Sequence, residues 1–502
     1  MSSAMVVSLS SNQTPIQRFY DDKVLLITGA TGFIGKILLQ KCLKDLCVRK
    51  VYVIVRFKRG KDARKRLEEL LQSPIFDTLK ASDPTFATKI NLMKGDLELP
   101  NLGLTESDMD ILMKEVNCVF HCAATVNFDE PLPLAVKINV RSTRDILNLC
   151  KKMSNLQSFV HVSTAYSNPN RQIVEETVYE PKILPEKLLL LVDNFDKDIV
   201  DDIVKKRLLT GGFTNTYVLT KNASEYMIQK EGLDLPISIL RPSIVVATEK
   251  QPMPGFVDSV IAITGLCLAI GLGFVRTIIW KPDNVLDVIP LDHVVNEIIT
   301  VGWYNHTESN EQKQEVPVFN SVSSSIKPIT IGEISDYFFK HSFTIGTRNR
   351  LWYPFIIVTQ NETLYKIYAL FLHTIPYYFA DFCAYCLGKK PILVKFYQKY
   401  ERLSQVLKFF MTNEWYFKSN NTRRLFQSLS PEDKELFYFD MKQVDYNELV
   451  LNNIKGMKKY ILKDNTPDDD ISMLYKQKFL HYFICFVLLA SFTYFLLRLT
   501  YL

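Results

Sequence analysis

The stretch VLLITGATGFIGKILLQKCL, Val24 to Leu43, sets an apolar run ahead of three glycines spaced by three. Val24, Leu25, Leu26 and Ile27 read as a short buried strand. Ile34, Ile37, Leu38 and the residues from Lys41 onward read as an amphipathic helix. Gly29, Gly32 and Gly35 therefore fall in a strand-to-helix turn, where backbone must approach something closely. Glycine permits backbone angles that other residues resist. It also leaves the first N–H groups of the helix open to an anion such as a pyrophosphate, which the helix dipole favours. The spacing is G-x-x-G-x-x-G rather than the commoner G-x-G-x-x-G, so a tight turn without a ligand stands beside the dinucleotide reading.

Outward from this turn the same alternation repeats. KVYVIVR (Lys50 to Arg56) reads as a second strand and ARKRLEELLQ as a helix. Further strands are expected in INLMKGDL, ending near Asp96, in VNCVFHCAA, ending near Ala123, in FVHVSTAY, ending near Ser163, and in ISILRPSIV. Strands alternating with helices predict an α/β domain: a Rossmann-like, doubly wound parallel sheet with ligands beyond the carboxyl ends of its strands. The segment PGFVDSVIAITGLCLAIGLGFVRTIIW is apolar yet holds four glycines. It reads as a buried helix pair, or as the wall of a greasy substrate pocket or a membrane-dipping cap. From about Leu351 to Asp470 a helical, aromatic-rich region follows. The expected division is a flexible lead-in over 1–22, a nucleotide- and substrate-binding domain over 23–330, a helical domain over 351–470 and a membrane span over 479–497.

That span, Phe479 to Leu497, is almost wholly apolar and free of Asp and Glu. Nineteen helical residues reach about 28 Å, close to the hydrocarbon thickness of a bilayer. Lys476 and Lys478 precede it and five residues follow. The pattern predicts a single-pass tail anchor with the bulk of the chain in the cytosol, at the endoplasmic reticulum or the peroxisome. A chain still bound to membrane without this tail would point to a second membrane element within 257–280 or 351–387. The formal net charge of the 502 residues is +6, without a long Lys/Arg run, so nucleic acid is not expected as a partner. The nine cysteines form no disulfide framework, and Cys383 and Cys386 lack the partners a zinc site needs, so no metal is expected.

Two clusters point to chemistry. The second strand ends in Arg56, followed by Phe57, Lys58 and Arg59. An acidic residue there would hold the ribose hydroxyls of NAD, whereas a cluster of cations suits the 2′-phosphate of NADP. In NTYVLTKNASEYM, Tyr217 and Lys221 lie four apart on one helical face. A nearby ammonium favours the phenolate and so lowers the phenol's pKa. A tyrosine so tuned can donate a proton in carbonyl reduction, with Ser163 or Thr164 at the fifth strand end to hold the substrate oxygen.

TGATGFIGK, VFHCAATVNFDE, FVHVSTAYSN, YVLTK, LRPSIV, PGFVDS, GKKP, NEWYF and SPEDKELFYFD, in this order, resemble the alcohol-forming fatty acyl-CoA reductases. These are a membrane-associated branch of the extended short-chain dehydrogenases, and the resemblance runs over nearly the whole chain. It implies NADPH as cofactor, a long- or very-long-chain fatty acyl-CoA as substrate and a primary fatty alcohol as product. Residue by residue it implies a phosphate turn at Gly29, Thr31, Gly32, Phe33, Ile34 and Gly35. It implies NADP selection by Arg56 and Lys58, adenine contacts at Asp96 and Leu97, and a strand end beneath the cofactor at Ala123 and Ala124. It implies chemistry at Thr164, or its neighbour Ser163, with Tyr217 and Lys221, Lys221 also holding cofactor. Arg241 and Pro242 begin the stretch beside the nicotinamide. Leu272 stands where a basic residue is common. The competing readings are a membrane-bound dehydrogenase acting on a sterol or other lipid carbonyl, and a silent cofactor-binding scaffold.

Overall fold

The computed structural model describes residues 13–58, 60–205, 215–307 and 314–500. Its centre is a seven-stranded sheet: β1 (Val24–Thr28), β2 (Lys50–Val55), β3 (Ile90–Lys94), β4 (Cys118–His121), β5 (Ser158–Val162), β6 (Ile237–Pro242) and β7 (Val318–Ser321). The order is β7-β6-β5-β4-β1-β2-β3, and every pairing is parallel. Helices cover a parallel sheet on both faces, so its inner strands are buried throughout rather than on alternate residues. β1, β4, β5 and β6 are buried at every position for this reason. The strand order reverses between β1 and β4, and the crevice beyond their carboxyl ends is where such sheets bind ligands.

Six of the seven strands are those expected. The seventh, β7, was not expected; its FNS tail lacks a β-branched run, and it is added by pairing with β6 (Phe319 beside Leu240). ISILRPSIV also divides. Ile237–Pro242 stays in the main sheet, and Ile244–Val246 leaves it to pair with Val288–Pro290.

The chain forms two compact units that interleave along the sequence. One comprises Met1–Met253, Asp287–Pro328 and Glu414–Val444; the other comprises Pro254–Leu286, Ile329–Asn413 and Asp445–Leu502. These units are not serial in sequence because short strands far apart along the chain pair with one another. Tyr416–Phe417 pairs in parallel with Ile173–Val174, and the Trp415 indole donates to the Pro169 carbonyl at 3.1 Å, which fastens NEWYF to the first unit. Within the second unit, Thr277–Ile279 pairs with Ile357–Thr359. The apolar segment expected as a helix pair supplies one helix, Ala262–Gly271.

Residues 1–12 of the expected flexible lead-in lie outside the described residues. Residues 15–20 are not flexible: Thr14 and Gln17 form a capping box on helix Pro15–Tyr20. Ile16 and Tyr20 are fully buried, and the Tyr20 hydroxyl donates to the Ile299 carbonyl at 2.7 Å. Among the described residues, one helix, Ser472–Arg498, is long and apolar enough to cross a membrane, with mean hydropathy 2.0. It begins earlier than the apolar composition alone suggests.

Candidate active site

The glycine turn is shaped by contact. Gly29 has φ +73°, and a Cβ there would fall 2.8 Å from the Ala123 backbone nitrogen at the end of β4. A Cβ on Gly35 would fall 2.2 Å from the Gly29 carbonyl oxygen, so the helix Phe33–Asp45 can start this close to β1 only with glycine there. Gly32, the N-cap, has no side chain to satisfy the first N–H groups of that helix. A backbone cradle with uncapped amides fits a dinucleotide pyrophosphate. Thr31, Phe33 and Ile34 fill out this turn, and Ala123 and Ala124 line the switch point opposite it.

Cations gather beside the cradle. Arg56 follows β2, and Arg66 of the helix Ala63–Leu71 donates to the Arg56 carbonyl at 2.8 Å and to the Thr31 hydroxyl at 3.0 Å. The residues 56–59 themselves hold no acid, but the fold brings acids to them. The end of β3 brings carboxylates to Arg56, with Asp96 at 3.6 Å and Glu98 in direct hydrogen-bond contact. Lys58 is exposed on a small turn closed by Lys61, and Leu97 is half-buried beside Asp96. Arg59 lies outside the described residues. Arg66 had no signal of its own, since Arg64, Lys65 and Arg66 are equivalent by composition.

At the other side of the switch point, Asn215 caps the helix Thr216–Glu231, its side chain accepting from the Val218 amide. Tyr217 is half-buried, its ring 5.9 Å from that of Phe128. Burial pushes its phenol up to about 12, partly opposed by the neighbouring Thr164 hydroxyl. Lys221, one turn on, is buried and donates to the Val162 carbonyl at 2.7 Å. Burial pushes its ammonium down to about 8, with Glu225 and Cys122 acting the other way. The expected lowering of the phenol by the lysine is therefore not found. The ammonium gives its hydrogen bond to a strand-end carbonyl, and desolvation dominates at both groups.

Adjacent Ser163 and Thr164 face different partners. The Ser163 hydroxyl donates to Glu225, which also accepts from Arg241 Nε at 3.0 Å and Nη2 at 2.7 Å. The remaining Arg241 donors go to the Glu175 and Thr177 carbonyls, and both members of the ion pair are fully buried. Arg241 thus locks β6 to the helix Thr216–Glu231, and Pro242 ends the same strand. Glu225 escaped the sequence reading although Tyr217, Lys221 and Glu225 recur at intervals of four. Asn139 also escaped it. Its amide donates to the Thr220 hydroxyl at 2.9 Å and its oxygen accepts from the Thr125 amide at 2.9 Å, tying the loop after β4 to the same helix. Burial pushes the Cys122 thiol up to about 12, which leaves it unreactive.

Residues 27–298 match the NAD-binding family model described as "Male sterility protein", and residues 372–464 match the Sterile model of the same description. Fatty acyl-CoA reductase 1 of Rattus norvegicus is 37% identical over 451 residues, covering 89% of this chain and 86% of its own. The chain belongs to the fatty acyl-CoA reductase family. Fatty acyl-CoA reductase wat of Drosophila melanogaster is 33% identical over 479 residues, covering 95% of this chain and 92% of its own. The fold is shared more widely. The reductase domain of a nonribosomal peptide synthetase from Mycobacterium tuberculosis superposes with a TM-score of 0.58 at 19% identity, over 87% of this chain and 92% of that one. As a member of the fatty acyl-CoA reductase family, the chain is an oxidoreductase with a nicotinamide-dinucleotide fold, and the cradle and the Tyr217–Thr164 pair lie at opposite flanks of one switch point.

Proposed function

We propose that this chain reduces long- or very-long-chain fatty acyl-CoA to primary fatty alcohol, through an aldehyde, with NADPH. The observation that carries the reading is the meeting of Tyr217 and Thr164 beside buried Lys221, at the carboxyl end of the same parallel sheet that carries the glycine cradle. Family membership supports the substrate class. The cations Arg56, Lys58 and Arg66 support NADPH over NADH, since a 2′-phosphate takes charge-assisted hydrogen bonds from such groups.

The cradle at Gly29, Gly32 and Gly35 would hold the pyrophosphate, and Lys221 would reach the adjoining ribose. A bound nicotinamide supplies hydride. The Tyr217 phenol and the Thr164 hydroxyl hold the oxygen of the thioester carbonyl as it gains negative charge, an oxyanion-hole role. Collapse of that adduct breaks the carbon–sulfur bond, and coenzyme A leaves as a thiolate, giving the aldehyde. For the second reduction a second NADPH, exchanged for the spent cofactor, would supply the hydride, and Tyr217 donates its proton to the aldehyde oxygen. A phenol held up at about 12 is protonated at neutral pH, so it carries the proton that the aldehyde oxygen needs.

The helix Ser472–Arg498 supports a membrane-anchored enzyme with a cytosolic catalytic region, at the endoplasmic reticulum or the peroxisome. The test is direct. Purified full chain is given NADPH or NADH with a panel of acyl-CoA chain lengths, and extracted lipids are identified. Fatty alcohol formed with NADPH supports the proposal; cofactor oxidation without alcohol, or no turnover on any thioester, overturns it.

A further inference from the structure

The second unit carries an apolar face that its own packing leaves uncovered. Helices Glu362–Ala369 and Ile375–Cys386 run on through a π-turn over Leu370–Thr374. One face, Ala369, His373 and Tyr377, is buried. The opposite face presents Leu364, Ile367, Phe371, Tyr378, Phe382 and Tyr385, each between 43% and 73% exposed. At roughly 200 Å² for an aromatic side chain, this stripe exposes on the order of 700 Å² of apolar surface, above the ~300–600 Å² of the largest patch on an ordinary soluble monomer. From Ile367 to Gly388 the sole charged residue is Asp381, and its carboxylate is spent on the Ile392, Leu393 and Val394 amides.

We infer that this face lies on a lipid bilayer as an in-plane amphipathic helix, a second membrane contact besides the terminal span. Two observations select lipid as the occupant. The helix that carries the stripe and the terminal helix belong to one compact unit and are joined through its packed side. Arg276 stacks over Tyr377 at 5.7 Å and over Trp352 at 5.6 Å, and the Trp352 indole donates to His481 of the terminal helix at 3.2 Å. The stripe also ends in exposed Lys389, Lys390 and Lys395, which suit anionic headgroups at the depth where an interfacial helix settles. Phe and Tyr are the residues such an interface favours. The inference is independent of the catalytic reading.

The test uses the full chain on phosphatidylcholine vesicles, with and without phosphatidylserine, that contain a lipid bearing a photoactivatable crosslinker. Crosslinked peptides are mapped by mass spectrometry. The expected result is lipid attached within 362–396 as well as within 479–497, with a higher yield on the anionic vesicles. The exposed-face substitutions Phe371→Ser, Tyr378→Ser and Phe382→Ser together should lower the yield within 362–396 by about tenfold while the terminal helix still crosslinks. Attachment confined to the terminal helix overturns the inference. So does a detergent-solubilised chain that light scattering shows to self-associate through this face, with the same three substitutions making it monomeric.

Discussion

Gly29 and Ala123 bring β1 and β4 together so tightly that a Cβ on Gly29 would lie 2.8 Å from the Ala123 nitrogen. The contact joins the phosphate turn to the strand end opposite it. Gly29→Ala should therefore widen the switch point as well as strain a residue at φ +73°. The left-handed conformation alone costs about 1–2 kcal/mol for a residue with a Cβ, and displacing Ala123 adds to it, so cofactor affinity should fall about tenfold or more. Gly388→Ala is the control: it has φ +70° but nothing within 4 Å. Fluorescence titration with NADPH should show a loss for Gly29→Ala and none for Gly388→Ala; equal affinities would remove the cradle from the cofactor site.

Tyr217→Phe should lower kcat by roughly 10²- to 10⁴-fold with NADPH affinity almost unchanged, because only the proton donor is removed. Thr164→Val should also lower kcat, as the oxyanion loses a partner. Ser163→Ala should act differently. It strips one hydrogen bond from the buried Glu225 carboxylate, costing about 1–3 kcal/mol of stability while leaving turnover of the folded enzyme near normal. Steady-state kinetics beside thermal denaturation separate the two hydroxyls.

The pH dependence follows from opposite shifts. Lys221 sits at about 8, so its ammonium is present below that pH and lost above it. Tyr217 sits at about 12 and keeps its proton throughout the working range. Reduction should thus decline as pH rises through about 8, on a limb owed to Lys221 rather than to the phenol. A kcat/KM profile that stays flat to about pH 10, near the ordinary lysine value, would show that the charge on Lys221 is not required.

Cofactor choice should depend on three cations. Replacing Arg56 and Lys58 by Ala should weaken NADPH use by roughly ten- to a hundredfold and NADH use far less, the scale of lost charge-assisted contacts. Arg66→Ala should weaken both, because Arg66 also props Thr31 in the phosphate turn. The ratio of kcat/KM for the two cofactors in each variant is the readout; an unchanged ratio in the Arg56, Lys58 variant would rule out 2′-phosphate recognition by them.

Three of the sequons, at Asn222, Asn361 and Asn420, differ in what they report. Asn222 is buried and donates to the Asn168 side chain at 2.8 Å, so it takes no glycan in any compartment. Asn361 and Asn420 are exposed and would be modified in a lumenal domain. With the catalytic region in the cytosol, mass spectrometry of the native protein should find neither glycosylated. A glycan on either would reverse the topology.

The strand–glycine–helix order at Val24–Leu43 and the spacing of Tyr217 and Lys221 are local patterns. Local patterns carry the parallel sheet, the glycine turn, the helix that bears Tyr217 and Lys221, and the terminal apolar span, because each depends on residues a few positions apart. What depends on distant residues meeting was settled by tertiary structure alone. β7 joins the sheet only by pairing with β6. The 414–444 segment belongs with the first unit because Trp415 reaches Pro169. Ser163 and Thr164 are indistinguishable as neighbours in sequence, yet alternation along the strand end turns one toward Glu225 and the other toward Tyr217. Asp96 and Glu98 reach Arg56 across the sheet from β3. Burial sets the protonation of Tyr217 and Lys221, and desolvation is a property of the folded surroundings, which spacing along one helix does not contain.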